Sequence, residues 1–154
     1  MTSGRGEFWV VLQLILLTAL VFAPILVPEA WSAPVADLAQ ALGLLLGALG
    51  LLVVGIAALY LGRNLTIFPK PKPDGFMTAR GIYRVVRHPM YCGVILCAFG
   101  WSLWQTSLVA LALSFALGVF FDRKAAQEEL WLQAQYPEYA DYRRRVKKLI
   151  PFIY

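Results

Sequence analysis

Four side chains able to do chemistry, Arg84, Arg87, His88 and Tyr91, stand within one stretch, Gly81-Ile82-Tyr83-Arg84-Val85-Val86-Arg87-His88-Pro89-Met90-Tyr91-Cys92-Gly93. A pair of carboxylates, Glu128 and Glu129, follows later in the chain. Pro89 has no amide hydrogen and a preset φ, which suits the first position of a helix, with His88 at the cap and Arg87 just outside. The open amides of such a start attract an anion, and Arg84 and Arg87 add positive charge beside it. The glutamates would hold a cation. A site that joined both sets would suit a small ligand carrying both signs of charge. His88 is the one histidine, and Cys92 and Cys97 lie five apart on one expected helix without metal-ligand companions. The sequence therefore predicts no metal centre and no disulfide.

These residues border long uncharged runs. The chain has 154 residues, of which 60% are hydrophobic and 15% charged, a composition that predicts one membrane-embedded unit over residues 1–154. The first run, 8–27, has only Gln13 and Thr18 as polar members and matches a bilayer core. A secretory signal is the competing reading, but its apolar stretch is shorter, about 7–15 residues, and ends at a small-residue cleavage site. The second run, 38–61, contains Gly43, Gly47, Gly50 and Gly55. Its Gly43/Gly47 pair would let another helix of the chain approach closely. From His88 to Phe121 there is no charge. A single helix of that length would overshoot a hydrocarbon core of ~30 Å at ~1.5 Å per residue, so a hairpin turning at Gln105-Thr106-Ser107 is expected. On its first arm Gly93, Cys97 and Gly100 form a stripe suited to packing.

The fold class expected is all-α, a polytopic membrane protein with four transmembrane segments at about 8–27, 38–61, 90–104 and 107–121. The last two form a helical hairpin, and 122–154 form a cytoplasmic tail of helices. The loop 28–37 carries acid and no Lys or Arg, whereas 62–89 is basic. The positive-inside rule then places both termini and both polar blocks on the cytoplasmic side. Within the basic loop, Phe68-Pro69-Lys70-Pro71-Lys72-Pro73-Asp74-Gly75 reads as extended chain that turns, lying across the mouth of the bundle. In the tail, Pro137 opens a short helix with Tyr139, Tyr142 and Val146 on one face. The cations from Arg143 to Lys148 would anchor on anionic headgroups or lie over the site. The net charge of +5 follows the membrane pattern, and no nucleic-acid-binding module is visible. Because a hairpin brings its two ends together, the basic group at Arg84–Tyr91 meets Glu128 and Glu129 at the membrane edge. Adenosylmethionine, with a carboxylate, an amine and a sulfonium, has the required mixture of charges.

The motif Gly81–Gly93, followed by Glu128-Glu129, Tyr139-Ala140-Asp141-Tyr142-Arg143-Arg144-Arg145-Val146 and Leu149-Ile150-Pro151, resembles the isoprenylcysteine carboxyl methyltransferase and phospholipid methyltransferase superfamily. The resemblance runs roughly from Leu61 to Pro151 and includes Leu65-Thr66 and Phe68-Pro69-Lys70-Pro71, as in small prokaryotic members. It implies an integral membrane enzyme, in a prokaryotic inner membrane, that takes S-adenosyl-L-methionine from the cytosol. The methyl acceptor would be a lipophilic molecule from the bilayer, a carboxylate or an amine. Carried over by position, Tyr83, Arg87, His88 and Tyr91 would line the cofactor pocket, with Gly93 leaving room. Glu128 or Glu129 would hold the cofactor's amine or ribose, and His88 and Arg87 would be catalytic. His88 as a mere helix cap and Tyr91 as a mere interfacial anchor remain open at this point. Two other classes stay open as well, a nicotinamide-dependent membrane reductase and a non-enzymatic membrane scaffold.

Overall fold

The computed structural model describes residues 4 and 6–154. Its α-helices are α1 Glu7–Leu26, α2 Ala33–Leu61, α3 Pro89–Trp104, α4 Leu108–Gln135 and α5 Tyr139–Arg145, with short 3-10 turns at Gly62–Asn64 and Gly81–Arg84. There is no strand among the described residues, and a lone parallel bridge joins Val86 to Lys147. Helices α1 and α2 are each long and apolar enough to cross a membrane, and α3 is apolar but shorter.

Two boundaries depart from expectation, the start of α2 and that of α5, which opens at Tyr139 and not at Pro137. Helix α2 begins at Ala33 rather than at Leu38, because Ser32 is extended and Pro34 lies in the first turn, a position where its missing amide costs nothing. Asp37 is therefore helical and not part of a loop. The hairpin turn falls at Gln105–Ser107, as the polar interruption predicts, and the Ser107 hydroxyl caps α4 by accepting from the Ala110 amide. Glu29, from the α1–α2 connection, accepts from the Leu108 and Val109 amides at 2.8 and 3.3 Å and from Ser107 Oγ. A carboxylate placed at a helix N-terminus satisfies donors that the helix cannot. It ties the α1–α2 connection to the start of α4. After α5, Val146 is in extended backbone, so it does not extend the helical face of Tyr139 and Tyr142.

Helix α2 packs along α3, α3 along α4, and α4 along α1. Buried Leu20, Ala98, Leu117, Phe120 and Phe121 form the core shared by α1, α3 and α4. At the glycines the α2–α3 contact brings backbone against backbone. A Cβ on Gly50 would lie 2.7 Å from the Gly93 carbonyl oxygen, and one on Gly93 would lie 2.8 Å from the Gly50 carbonyl oxygen. Where lipid tails are as apolar as leucine, such backbone-to-backbone approach holds helices together through close van der Waals packing. The two small-residue stripes legible in the sequence are thus the two sides of one interface, and that interface fixes where α3 begins.

Candidate active site

At the start of α3 the motif forms a tight turn. Gly81 has a φ of +55° and faces the Tyr60 ring so closely that a Cβ would stand 2.1 Å from Cζ. Only glycine meets both conditions. Tyr83 is buried, and its carbonyl accepts from the Tyr142 hydroxyl at 2.5 Å. The tail returns beside the motif: the Arg87 amide donates to the Lys147 carbonyl at 2.8 Å, and the His88 amide to that of Lys148 at 3.1 Å. Lys148 Nζ donates to Asp122 Oδ1 at 2.5 Å and locks the tail against α4. Two of the tail's cations, Arg143 and Lys148, therefore point inward to carboxylates.

Glu129 lies at the centre of this arrangement. Its Oε1 accepts from Arg87 Nε at 2.7 Å and lies 3.1 Å from His88 Nε2, and its Oε2 lies 3.2 Å from Arg143 Nε. Burial alone would raise the carboxyl's pKa, but the bonds from His88 and Arg87 carry it down to about 2. Arg87 is also committed through Nη1 to the carbonyls of Arg143 and Val146. Because an ionised carboxylate only accepts, Nε2 of His88 carries the proton in that bond. Nδ1 is left 3.9 Å from Glu128 Oε2. His88 occupies the cap position of α3, yet its side chain makes no capping bond. Its ring instead stacks on Tyr91 with centroids 5.4 Å apart and an interplanar angle of 3°.

Glu128 points elsewhere, since neighbouring helical residues diverge by about 100°. It lines a cavity of about 500 Å³ and accepts from the Tyr91 hydroxyl at 2.6 Å. Burial pushes its pKa up, against the pull of His88, Tyr91 and Lys124. The α4 wall of the cavity is a single stripe, Phe121, Lys124, Glu128 and Leu132. The proline-rich segment 64–78 supplies much of the remaining lining. The Asn64 side chain pins both ends of that segment, accepting from the Phe76 amide at 3.2 Å and donating to the Phe76 carbonyl. Gln135 Nε2 holds the middle through the Lys72 carbonyl at 2.8 Å. Tyr136, Tyr139 and Tyr142 complete the lining. The Tyr139 hydroxyl is buried and has no hydrogen-bond partner among the described residues, an arrangement that suits a partner from outside the chain.

The cavity therefore gathers Tyr83, Arg87, His88, Tyr91 and Glu128. Two residues expected beside them are placed differently. Glu129 stands behind Arg87 and His88 and holds them in place. Gly93 is turned to α2, where the space a side chain would need is filled by the Gly50 carbonyl and Val54, so the room it leaves is for a helix and not for a ligand. Arg84 is exposed and does not line the cavity. Sequence reasoning passed over Lys124, Gln13, Asn64 and Tyr139. The signals for two of them were present: Gln13 is a rare polar residue in its run, and Lys124 shares the helical phase of Phe121 and Glu128.

The phospholipid methyltransferase family profile matches residues 38–139, which contain the motif, the proline-rich segment, both glutamates and the first residue of α5. The chain belongs to that family. Among curated relatives, the probable protein-S-isoprenylcysteine O-methyltransferase of Oryza sativa subsp. indica is 29% identical over 115 residues, covering 72% of this chain and 60% of the rice protein. The protein-S-isoprenylcysteine O-methyltransferase of Saccharomyces cerevisiae is 32% identical over 120 residues, covering 75% of this chain and 50% of the yeast protein. A eukaryotic intramembrane Ras methyltransferase, isoprenylcysteine carboxyl methyltransferase, superposes with a TM-score of 0.66 at 25% identity, over 99% of this chain and 54% of that one. The family member described here thus spans between half and three-fifths of these proteins. Its fold nevertheless follows that of the Ras methyltransferase structure over nearly the whole of this chain.

Proposed function

We propose that the protein is an integral membrane methyltransferase that uses S-adenosyl-L-methionine and acts on a lipophilic acceptor, a carboxylate or an amine. The observation that carries this reading is a single cavity in which Arg87, His88, Glu128 and the unpartnered Tyr139 hydroxyl face the apolar side chains of Met90, Val94 and Phe121. In this reading the unit is 1–154, α1 to α4 provide four membrane segments with the cavity at their cytoplasmic end in a prokaryotic inner membrane, and the proline-rich segment and tail close it.

The donor set fits the cofactor. A volume of about 500 Å³ lies within the ~300–1,000 Å³ of small-molecule sites. Glu128 would pair with the amine, and Arg87 and the Tyr139 hydroxyl are the donors for the carboxylate or ribose. When bound, S-adenosyl-L-methionine supplies a methyl group on a positively charged sulfur, so its departure needs no protonation. What the chain must provide is alignment and exclusion of water, which in favourable cases lower a barrier by roughly 7–11 kcal/mol. Glu129 holds Arg87 and His88 rigidly for that purpose. A carboxylate acceptor needs no base, whereas an amine must lose its proton, for which His88 Nδ1 faces the cavity with Nε2 anchored. Arg87 and His88 are accordingly the residues proposed as catalytic, with Tyr83 and Tyr91 lining the cofactor.

Calorimetry on detergent-purified protein should show micromolar or tighter binding of S-adenosyl-L-methionine and its demethylated product. Isotopically labelled cofactor incubated with protein and a lipid extract should yield labelled lipophilic product. Absence of binding of both compounds to folded protein would overturn the proposal.

A further inference from the structure

The residues after α5 close on themselves and leave an apolar edge bare. The main-chain oxygen of Tyr154 accepts from the Leu149 and Ile150 amides at 2.8 and 2.7 Å, and the Ile150 carbonyl accepts from the Ile153 and Tyr154 amides at 3.2 and 3.1 Å. Leu149 is buried and pins this hook to the rest of the protein, whereas Phe152, Ile153 and Ile150 at its rim are 86%, 74% and 50% exposed. Contiguous apolar surface of this kind marks a face that something covers. Beside the hook stand Arg144, Arg145 and Lys147, all exposed. Arg144 pairs with Asp141; among the described residues Arg145 and Lys147 take part in no ion pair.

Helix α4 fixes the level of the hook. Its charge-free run ends at Phe121, and the first charged residue, Asp122, accepts from Lys148 Nζ at 2.5 Å and from the Tyr154 hydroxyl at 3.0 Å. Ile153 and Phe152, one and two residues from Tyr154, therefore lie beside the point where α4 passes from apolar to polar surroundings. An aromatic and aliphatic edge at that border, with cations next to it, has the make-up of an interfacial anchor. Anionic headgroups complement its charge.

The same short stretch of chain holds the motif at α3. The carbonyls of Lys147 and Lys148 accept from the Arg87 and His88 amides, Arg87 Nη1 reaches the carbonyls of Arg143 and Val146, and Arg143 Nε lies 3.2 Å from Glu129 Oε2. Residues 143–148 thus grip Arg87 and His88 through the main chain while the side chains of Arg144, Arg145 and Lys147 stay in solvent. We propose that the hook and these three cations dock on an anionic lipid surface, and that docking steadies the 143–148 chain against Arg87 and His88, so that the cavity is fully formed only on a membrane with negative headgroups. The inference rests on the membrane arrangement proposed above, in which α4 leaves the bilayer after Phe121, and it is independent of which ligand the cavity takes.

The test uses the full chain in lipid nanodiscs of phosphatidylcholine alone or of an equal mixture with phosphatidylglycerol. With Cys92 and Cys97 changed to alanine, a single spin label is placed at Val119→Cys, on the exposed side of α4, or at Ile153→Cys. The Val119 label should be relaxed by oxygen rather than by a water-soluble nickel complex in both discs. The Ile153 label should behave so in mixed discs and turn toward nickel in neutral ones. Amide exchange over residues 84–88 should be at least threefold slower in mixed discs, since it reports local opening of the bonds to the tail. Replacing Arg144, Arg145 and Lys147 together by glutamine, with Arg143 and Lys148 kept, should abolish both differences. Phe152→Asn, which suits the φ of +65° there, should draw the Ile153 label into water and serves where the triple variant does not fold. An Ile153 label in water in mixed discs, with the Val119 label embedded, overturns the docking and leaves the hook to a water-borne protein. Equal depth or equal exchange in the two discs, or differences that persist in the triple variant, overturn the role given to anionic lipid. A Val119 label in water overturns instead the membrane arrangement beneath the proposal.

Discussion

Glu128 and Glu129 are neighbours in sequence and have opposite tasks, one turned to the cavity and the other turned to Arg87, His88 and Arg143. Glu128→Gln should weaken adenosylhomocysteine binding at least tenfold and leave thermal stability close to wild type. Glu129→Gln should do the reverse of this first, by unfolding more easily, and affect binding only through its loosened neighbours. The pH dependence follows from the Glu129 carboxyl, whose pKa falls from an ordinary 4.5 to about 2. A depressed folded-state pKa means that the stabilisation is complete above the ordinary value and lost as pH falls through about 2. At about 1.4 kcal/mol per unit it amounts to about 3 kcal/mol at neutral pH. Melting curves of wild type and Glu129→Gln in detergent should therefore differ most above pH 5 and converge near pH 2. A constant gap across that range would remove the carboxylate from the explanation. The glutamate pair itself was legible, because it interrupts the polar margin of an apolar helix beside a basic motif. Which member faces the cavity was not, because that depends on the rotation of α4 against α3, a tertiary quantity. Lys124 was missed for a related reason: a lysine one turn before a glutamate reads as its ion-pair partner on a solvated helix face, and only Gln13, from the far end of the chain, shows that it is buried.

At the scale of elements, the α2–α3 contact positions everything at the motif, since α3 starts where the glycine stripes set it. Gly93→Ala should cost about 1–3 kcal/mol, the usual range for overpacking, because the atoms that meet the new methyl include the Gly50 carbonyl and the Val54 amide nitrogen, and backbone cannot rotate away. The folded fraction should still bind adenosylhomocysteine with wild-type affinity. Thermal unfolding and calorimetry on the same preparation separate the two effects; a protein of unchanged stability with weakened binding would return Gly93 to the ligand pocket. The stripes themselves were readable from spacing, and so was the hairpin turn at Gln105–Ser107. The start of α2 was not, since the apolar run begins later than the helix does, and Ser32 with Pro34 was the better guide. The role of Asn64 could not be read either, because its bonds to Phe76 bridge a proline-rich segment that has no periodicity.

For the whole molecule, hydropathy finds the helices but not which of them touch. Helix α1 is joined to α2 by a short connection yet packs on α4, and the tail lies beside residues 86–88 through backbone bonds that carry no sequence pattern. These long-range pairings bring Gln13, Lys124, His88 and Tyr139 to one cavity, and they also give the cavity a side. Glu29 ties the α1–α2 connection to the start of α4, whereas the proline-rich segment and the tail gather at its other end. The charge follows the same division, with cations concentrated in the segment and the tail, and acid without Lys or Arg in the connection. A bilayer that obeys the positive-inside rule should then hold the two ends on opposite sides, with the cavity cytoplasmic. Single cysteines at Ser32 and at Asp74, in a protein whose Cys92 and Cys97 have been changed to alanine, test this directly. In intact cells a membrane-impermeant maleimide should label the first and not the second, and permeabilised cells should give both. Labelling of Asp74→Cys from outside, alone or together with Ser32→Cys, would invert or dismantle the four-segment arrangement. The source of the cofactor would then have to be sought elsewhere, since adenosylmethionine is drawn from the cytosol in the proposed reaction.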